Sequence, residues 1–211
     1  MAKGQSEEFT PEFPAGGRFD VVAQHVLGIE GGYVNHAADH GGATQFGISL
    51  RFLKVEGALD ANRDGFKDFD LDFDGDIDGA DVRLLTKGLA LNLYYHCFWR
   101  RLVLDGLPVR VDAAAFDLAV NCGAKAATKM LQRALNRLVL MAGDLKVDGD
   151  MGNQTRARAR AAERHVGGVD RLLTALRQEA VAHYNAIIRA DHGQVVFQAG
   201  WLKRAEGLGR V

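Results

Sequence analysis

A glycine-rich segment that follows a helical run constrains this chain more than any other feature. The run repeats with the spacing of one helix face at Val21, Val22, His25, Val26 and Ile29. The pair Gly31-Gly32 is a common helix end and directly follows Glu30. A second acid, Asp39, and a hydroxyl, Thr44, follow among glycines. A helix end and a turn can therefore face three polar groups across a cleft.

These three groups suit cleavage of a bond between two sugars. That reaction needs one carboxyl group that holds a proton and a second polar group that manages the water. A carboxyl group at a helix C-terminus lies in an unfavourable dipole field, and partial burial disfavours its anion further. Both effects favour the protonated form of Glu30, as a general acid requires. The structural alternatives are a solvated helix end for Glu30, a turn residue for Asp39 and a strand residue for Thr44.

Motifs spread along the chain resemble those of one enzyme family. The sequences E-G-G-Y at 30–33 and D-x-G-G-x-T-x-x-G-I at 39–48 resemble the signature of the N-acetylmuramidases of glycoside hydrolase family 108, many of them phage endolysins. Later segments that resemble further motifs of the family are 91–99, 116–123, 130–135, 148–155 and 197–204. The last three of these resemble the family's C-terminal, peptidoglycan-binding half.

The resemblance implies a role for each polar group. Glu30 is expected to protonate the glycosidic oxygen, and Thr44 to hold the attacking water. Asp39 is expected to orient or deprotonate that water, or to stabilise the oxocarbenium-like charge. Carboxyl groups about 6.5–9.5 Å apart would leave room for the water and invert the anomer, whereas about 5 Å would imply a covalent intermediate. The residues expected to contact the sugar are Tyr33, Gln45 and Asn121.

The resemblance also predicts the fold and the domains. We expect a mainly α (α+β, lysozyme-like) fold, with a helical lobe, a small β-hairpin around 33–48 and a C-terminal helical module. The predicted domains are an N-terminal tail at 1–17, a catalytic region at 18–122 with an insertion at 58–82, and a peptidoglycan-binding module at 123–211. Apolar stripes from Ala126 to Leu138 and from Leu172 to Ile187 predict two helices of the module.

The insertion carries a second informative pattern, since nine aspartates fall between residues 60 and 81. Its second half follows the order of an EF-hand or dockerin-type calcium loop, with Gly75 at the sharp turn. The predicted ligands there are Asp70, Asp72, Asp74, Asp76 through its carbonyl, and Asp81. A similar but less complete order in the first half comprises Asp60, Asn62, Asp64, Phe66 and Asp68.

We therefore expect calcium in a structural or regulatory role and no cofactor for catalysis, because a cation in such a loop has few open coordination positions. The alternative is a disordered acidic insertion. Nine aspartates against Arg63 and Lys67 give this segment a net charge of −7, which would repel itself without a cation.

The charge distribution indicates the partners. Although the net charge is −1, residues 123–211 hold 15 Lys and Arg against 8 Asp and Glu. This basic half suits anionic surfaces such as the cell wall or lipopolysaccharide phosphates, and the expected partner is bacterial peptidoglycan. We expect no nucleic-acid partner, because no nucleic-acid motif accompanies the charge. No apolar stretch predicts a transmembrane segment or a signal peptide. Reduced thiols are expected at Cys97 and Cys122.

Together these patterns predict a peptidoglycan hydrolase that cleaves the bond between N-acetylmuramic acid and N-acetylglucosamine and so lyses bacteria. Synthesis in the host cytoplasm and action on periplasmic peptidoglycan fit a monomeric bacteriophage endolysin that a holin releases. A bacterial prophage gene or a secreted effector would fit the same pattern. The alternatives are a lytic transglycosylase and a non-catalytic, calcium-dependent wall-binding protein. Asp39 and Thr44 favour hydrolysis, since a transglycosylase needs no pair of groups to position water.

Overall fold

Helices make up nearly all of the regular structure. The computed structural model describes residues 16–29, 42–57, 67–138 and 143–211. Within these ranges the chain forms nine α-helices and one two-stranded hairpin, which confirms the mainly α fold with a small β-hairpin. None of the helices in these ranges is long and apolar enough to cross a membrane.

The chain separates into two compact units, Met1–Cys97 and Phe98–Val211. The elements described in the first unit are α1 Arg18–Ile29, β1 Thr44–Gln45, β2 Ile48–Ser49, α2 Leu50–Glu56, α3 Gly79–Leu84 and α4 Lys87–Tyr94. A π-helical segment, Tyr95–Arg100, follows α4 and ends within the second unit. The α-helices described in the second unit are α5 Val111–Cys122, α6 Ala124–Arg137, α7 Asn153–Ala161, α8 Gly168–Ala190 and α9 Gln198–Gly207. The domain boundary predicted at residue 122 stays a prediction.

The buried face of helix α1 overlaps the predicted one at Val22 and Val26 and differs from it at the other described positions. Its buried residues are Phe19, Val22, Ala23 and Val26. These residues are spaced three and four apart, which is the period of one helix face. Val21 is 51% exposed and His25 is also exposed, so their assignment to the apolar face was wrong. Burial of the face through Phe19 and Ala23 removes the phenyl ring from water and leaves the polar imidazole of His25 exposed.

The hairpin has only two residues in each strand. Thr44 pairs with Ser49 and Gln45 with Ile48 in antiparallel register. The turn between them, Phe46-Gly47, has positive φ at both positions, 50° and 76°, as tight hairpin turns require. Such a backbone is easy for glycine but unfavourable for a bulky residue such as phenylalanine. Because an isolated hairpin is at best marginally stable in water, other elements must hold this one.

Carboxylates of the acidic insertion close the first turn of α3. Asp78 accepts the N–H of Ala80 at 2.5 Å, and Asp81 accepts the N–H of Asp78 at 2.7 Å. This reciprocal arrangement is a capping box, with aspartate in place of the more usual glutamate. Ile77 and Val82 are buried on either side of the cap. The end of the insertion is therefore anchored in the core of the first unit.

The second unit is built around α5, which is buried along most of its length. The apolar stripes predicted for α6 and α8 are confirmed, and their buried members include Met130, Leu131, Ala134 and Leu135 in α6 and Leu172, Leu173, Leu176, Ala180 and Tyr184 in α8. Trp99 contacts Phe116 of α5 edge-on, with ring centroids 5.7 Å apart. Its indole N–H donates to Asp105 at 2.9 Å, so the polar edge of this buried ring is satisfied.

A buried glutamine fixes the turn between α6 and α7. The amide nitrogen of Gln132 donates to the Asp148 carboxylate, and its oxygen accepts the N–H of Gly149, both at 2.9 Å. Gly149 has a φ of 84°, and a Cβ atom there would lie 2.6 Å from Cγ of Lys125. Glycine is therefore needed at this position both for its backbone conformation and for the close approach of α6.

Candidate functional site

The hydroxyl of Thr44 lies in β1 and is partly exposed. It donates a hydrogen bond to the carbonyl of Gly42 at 3.3 Å. Outside the described residues lie the other predicted site residues of this segment, Glu30, Tyr33 and Asp39. Helix α1 ends at Ile29, one residue before the predicted general acid.

The side chain of Gln45 ties the hairpin to the end of α3. Its amide nitrogen donates to the carbonyl of Leu85 at 2.6 Å and to that of Arg83 at 3.1 Å. The last carbonyls of a helix have no partners within the helix, so this amide satisfies two such acceptors. Both N–H groups of Gln45 are thus directed at the backbone, and only its amide oxygen remains for the predicted contact with the sugar.

Tyr94, which no sequence pattern predicts as part of the site, holds the turn of the hairpin. Its hydroxyl donates to the carbonyl of Phe46, the turn residue with the unfavourable backbone. Tyr94 is fully buried, and burial raises the pKa of its hydroxyl well above the ordinary value. It therefore keeps its proton and stays a donor at neutral pH. Tyr94 lies within the motif at 91–99, but nothing in that motif shows that its hydroxyl reaches the hairpin.

Asp70 organises the beginning of the predicted calcium loop. The residue is 2% exposed, and its carboxylate accepts the N–H groups of Asp74 at 3.1 Å and Gly75 at 2.9 Å. Gly75 has a φ of 101°, which allows the chain to turn sharply. Carboxylate oxygens of Asp70, Asp72 and Asp74 all lie within 4.8 Å of one another.

A second cluster closes the same loop. Carboxylate oxygens of Asp76, Asp78 and Asp81 also lie within 4.8 Å of one another. Asp81 is 1% exposed, and it accepts the N–H of Leu71 at 2.6 Å as well as that of Asp78. The prediction used only the backbone carbonyl of Asp76, whereas the structure also brings its carboxylate into the cluster.

The donors of this loop fit a hard divalent cation. Exposed acidic clusters of this kind can bind a metal, and carboxylate and carbonyl oxygens are the ligands that calcium takes. Partial desolvation and repulsion from Asp74, Asp81 and Asp70 raise the pKa of the Asp72 carboxyl. The loop thus concentrates negative charge that a cation would offset.

The first half of the insertion is less informative. Outside the described residues lie Asp60, Asn62, Asp64 and Phe66. Asp68 is described, but it belongs to neither carboxylate cluster. A second calcium loop in this half stays a prediction.

Asn121 lies near the C-terminal end of α5 and is exposed. Its amide oxygen accepts the hydroxyl of Tyr184 at 2.9 Å and the thiol of Cys122 at 3.5 Å. Burial raises the pKa of the Cys122 thiol to about 11, so it is protonated at neutral pH. Tyr184 is stacked on Trp201, with ring centroids 5.2 Å apart. These contacts fix the orientation of the Asn121 amide, which the sequence predicts to contact the sugar.

A buried ion pair lies one helical turn before Asn121. The carboxylate of Asp117 is 2.6 Å from the guanidinium of Arg204, and each side chain is 10% exposed. Burial raises the pKa of Asp117 to about 7 and lowers the pKa of Arg204. This role of Arg204 was not predicted, although the residue ends the motif at 197–204. The pair joins α9 to the central helix of the second unit.

Comparison with known families defines the class of protein. Residues 23–123 match the family model Glycosyl hydrolase 108, and residues 126–206 match that of a predicted peptidoglycan domain. The chain therefore carries a glycosyl hydrolase family 108 domain and is a glycoside hydrolase. The first match includes the hairpin, the acidic insertion and α5, while the second includes most of the region from α6 to α9.

One solved structure is similar to nearly the whole chain. The chain is similar to the structure of SagA from Brucella abortus, with 28% sequence identity and a TM-score of 0.64. The similarity covers 92% of this chain and 96% of that chain, so it extends over both matched domains. No curated protein matches the sequence.

Proposed function

We propose that the protein hydrolyses peptidoglycan at the bond between N-acetylmuramic acid and N-acetylglucosamine. The observation that carries this proposal is the presence of two matched domains in one chain, a glycosyl hydrolase 108 domain at 23–123 and a predicted peptidoglycan domain at 126–206. A catalytic domain for glycosidic bonds that is joined to a peptidoglycan domain has the glycan strand of peptidoglycan as its most direct substrate.

In the proposed mechanism, Glu30 protonates the leaving oxygen and Asp39 activates the water or stabilises the positive charge at the sugar. Thr44 is proposed to hold that water, as the resemblance of its motif implies, and its contact in the hairpin is compatible with this role. Its hydroxyl donates to the Gly42 carbonyl, so the lone pairs of its oxygen remain available to accept a hydrogen bond from a water. A water that donates to this oxygen has its own lone pair free to attack the anomeric carbon.

We further propose that residues 70–81 bind one calcium ion that stabilises the first unit and takes no part in bond cleavage. The two carboxylate clusters, the turn at Gly75 and the buried ligands Asp70 and Asp81 support this proposal. The same loop caps α3, so a bound cation would stabilise the start of that helix.

The proposed biological setting is that of an endolysin. A monomeric enzyme made in the host cytoplasm would reach periplasmic peptidoglycan after a holin opens the membrane, and would then lyse the cell. The motifs at 30–48, which resemble those of phage endolysins, support this setting.

Digestion of purified peptidoglycan followed by mass spectrometry of the products tests the proposed reaction. Fragments with reducing N-acetylmuramic acid ends are the expected result. Anhydro-muramic ends would instead establish a lytic transglycosylase. Sedimentation with peptidoglycan in the presence of calcium, without any released fragment, would establish a wall-binding protein and contradict the proposal.

A further inference from the structure

The short hairpin that carries Thr44 cannot hold its own position. It has two residue pairs, and its turn contains Phe46 at an unfavourable positive φ. The described contacts that fix it come from elsewhere in the first unit. Ile48 is 1% exposed in the core, Tyr94 binds the turn carbonyl, and Gln45 binds the end of α3.

Of these three residues, Gln45 is the nearest to Thr44 in the chain. The two residues are adjacent in β1, and side chains of adjacent strand residues lie on opposite faces. The amide of Gln45 is fixed on one face by two carbonyls, at 2.6 and 3.1 Å. The hydroxyl of Thr44 therefore lies on the other face, at a position and rotation that the Gln45 contacts help to define.

The acceptors of these bonds are themselves well fixed. Helix α3 begins at the capping box of Asp78 and Asp81, and Leu85 follows its last residue and is 2% exposed. The N–H of Leu85 donates to the carbonyl of Asp81 at 3.1 Å. The hairpin is thus attached to a short helix that is held at both ends, which is a rigid support for a residue that must hold water.

From this arrangement we propose that Gln45 is a positioning residue, which sets the place of the Thr44 hydroxyl by binding the carbonyls of Arg83 and Leu85. The proposal rests on the peptidoglycan hydrolysis proposed above, because it assigns Gln45 to the support of that site. It also replaces the predicted contact between Gln45 and the sugar. Misplacing a reacting group by about 1 Å can lower a rate by on the order of 100-fold. Hydrogen bonds that fix the position of the hairpin are therefore expected to affect the rate of catalysis.

The test compares Gln45→Ala and Gln45→Glu with the wild type on soluble peptidoglycan fragments. A positioning role predicts that kcat falls by about 10- to 100-fold per folded molecule while KM changes by less than about twofold. In Gln45→Glu, a carboxylate faces two carbonyls and cannot donate, whereas its protonated form can. The activity of this variant relative to wild type should therefore recover as the pH is lowered.

A control and an independent measurement accompany these variants. Gln24→Ala removes an exposed glutamine of α1 that is bonded only to Asp20 among the described residues, and it should leave kcat and KM unchanged. Hydrogen exchange at the amides of residues 44–49 reports the effect of the Gln45 hydrogen bonds on the hairpin without any activity assay. It should be faster in Gln45→Ala than in wild type and unchanged in Gln24→Ala.

Each remaining outcome overturns the proposal in a different way. A raised KM with unchanged kcat would show that Gln45 contacts the sugar. Unchanged kinetics or unchanged hydrogen exchange would show that the Gln45 hydrogen bonds do not position the hairpin. If no Gln45 variant folds, the residue serves the fold and not the site. If the wild type does not cleave peptidoglycan, the proposed function fails and the positioning role fails with it. Faster hydrogen exchange in Gln45→Ala would then show only that Gln45 stabilises the hairpin.

Discussion

The guanidinium of Arg204 lies 2.6 Å from the carboxylate of Asp117, and each of these side chains is only 10% exposed. A second ion pair of the same unit, Arg110 with Asp170, has nearly the same separation, 2.7 Å, but its side chains are 41% and 69% exposed. Removing one partner of a buried pair leaves an uncompensated charge, whereas the exposed pair is solvated and screened. The two pairs should therefore differ greatly in their effect on stability.

Replacing Arg204 with alanine should destabilise the protein by about 3–5 kcal/mol at pH 8, where Asp117 is ionised. The matched change in the exposed pair, Asp170→Ala, should cost less than about 1 kcal/mol. Urea denaturation followed by circular dichroism gives both free energies of unfolding. Equal costs for the two variants would show that the buried pair is not stronger than the exposed one.

The stability of the wild type relative to Asp117→Asn should fall as the pH rises from about 4 to about 7. Burial raises the folded-state pKa of Asp117 from 3.8 to about 7. Between these values the folded protein holds a proton that the unfolded chain has lost, so folding is favoured at the acidic end. Above pH 7 both states are ionised, and the difference should be constant. Urea denaturation across this range is the measurement, and a difference that grows with pH would mean that Arg204 lowers the pKa of Asp117.

Sequence patterns predict the helical parts of this fold well and their contacts less well. The stripes in α6 and α8 follow from apolar residues at helical spacing, and both are buried as expected. The stripe of α1 was misplaced because Val21 and His25 have the right spacing, and only the tertiary fold decides which of two neighbouring faces is covered. The capping of α3 by Asp78 and Asp81 was also not predicted, since Asp81 was assigned to the calcium loop alone.

The candidate site shows the same limit. Thr44 is identified by its motif, but Gln45 bonds to carbonyls 38 and 40 residues away, and Tyr94 bonds to a carbonyl 48 residues away. Arg204 reaches Asp117 across 87 residues. Every residue has a backbone carbonyl, so the sequence does not show which one accepts a given side-chain hydrogen bond. Such a bond can be identified only from the folded structure.

Calcium should raise the midpoint of thermal unfolding of the wild type. At about 100 times its dissociation constant, a cation that binds only the folded state adds about 2.7 kcal/mol of stability. Asp74→Asn, which removes an exposed ligand of the loop, should abolish most of this shift. The control Asp144→Asn changes an exposed aspartate outside the loop and should leave the shift intact. Scanning calorimetry with and without calcium makes the comparison, and equal shifts in both variants would contradict binding at residues 70–81.

Replacing Thr44 with valine should lower kcat on peptidoglycan by on the order of 100-fold, because the variant keeps the shape of the side chain but cannot accept a bond from water. Thr44→Ser restores the hydroxyl and should recover most of the activity. Steady-state kinetics on soluble peptidoglycan fragments compare kcat of the valine variant with that of the serine variant. A valine variant as active as the serine variant would remove Thr44 from the mechanism.

The most direct test of the account is the release of reducing ends from purified peptidoglycan by Glu30→Gln and by Glu56→Gln. Both substitutions remove a glutamate that lies at or directly after a helix end and precedes a glycine, but only the first removes the proposed general acid. We predict that Glu30→Gln loses at least about 100-fold in activity while Glu56→Gln stays close to wild type. Undiminished release of reducing ends by a folded Glu30→Gln variant would contradict the proposed mechanism.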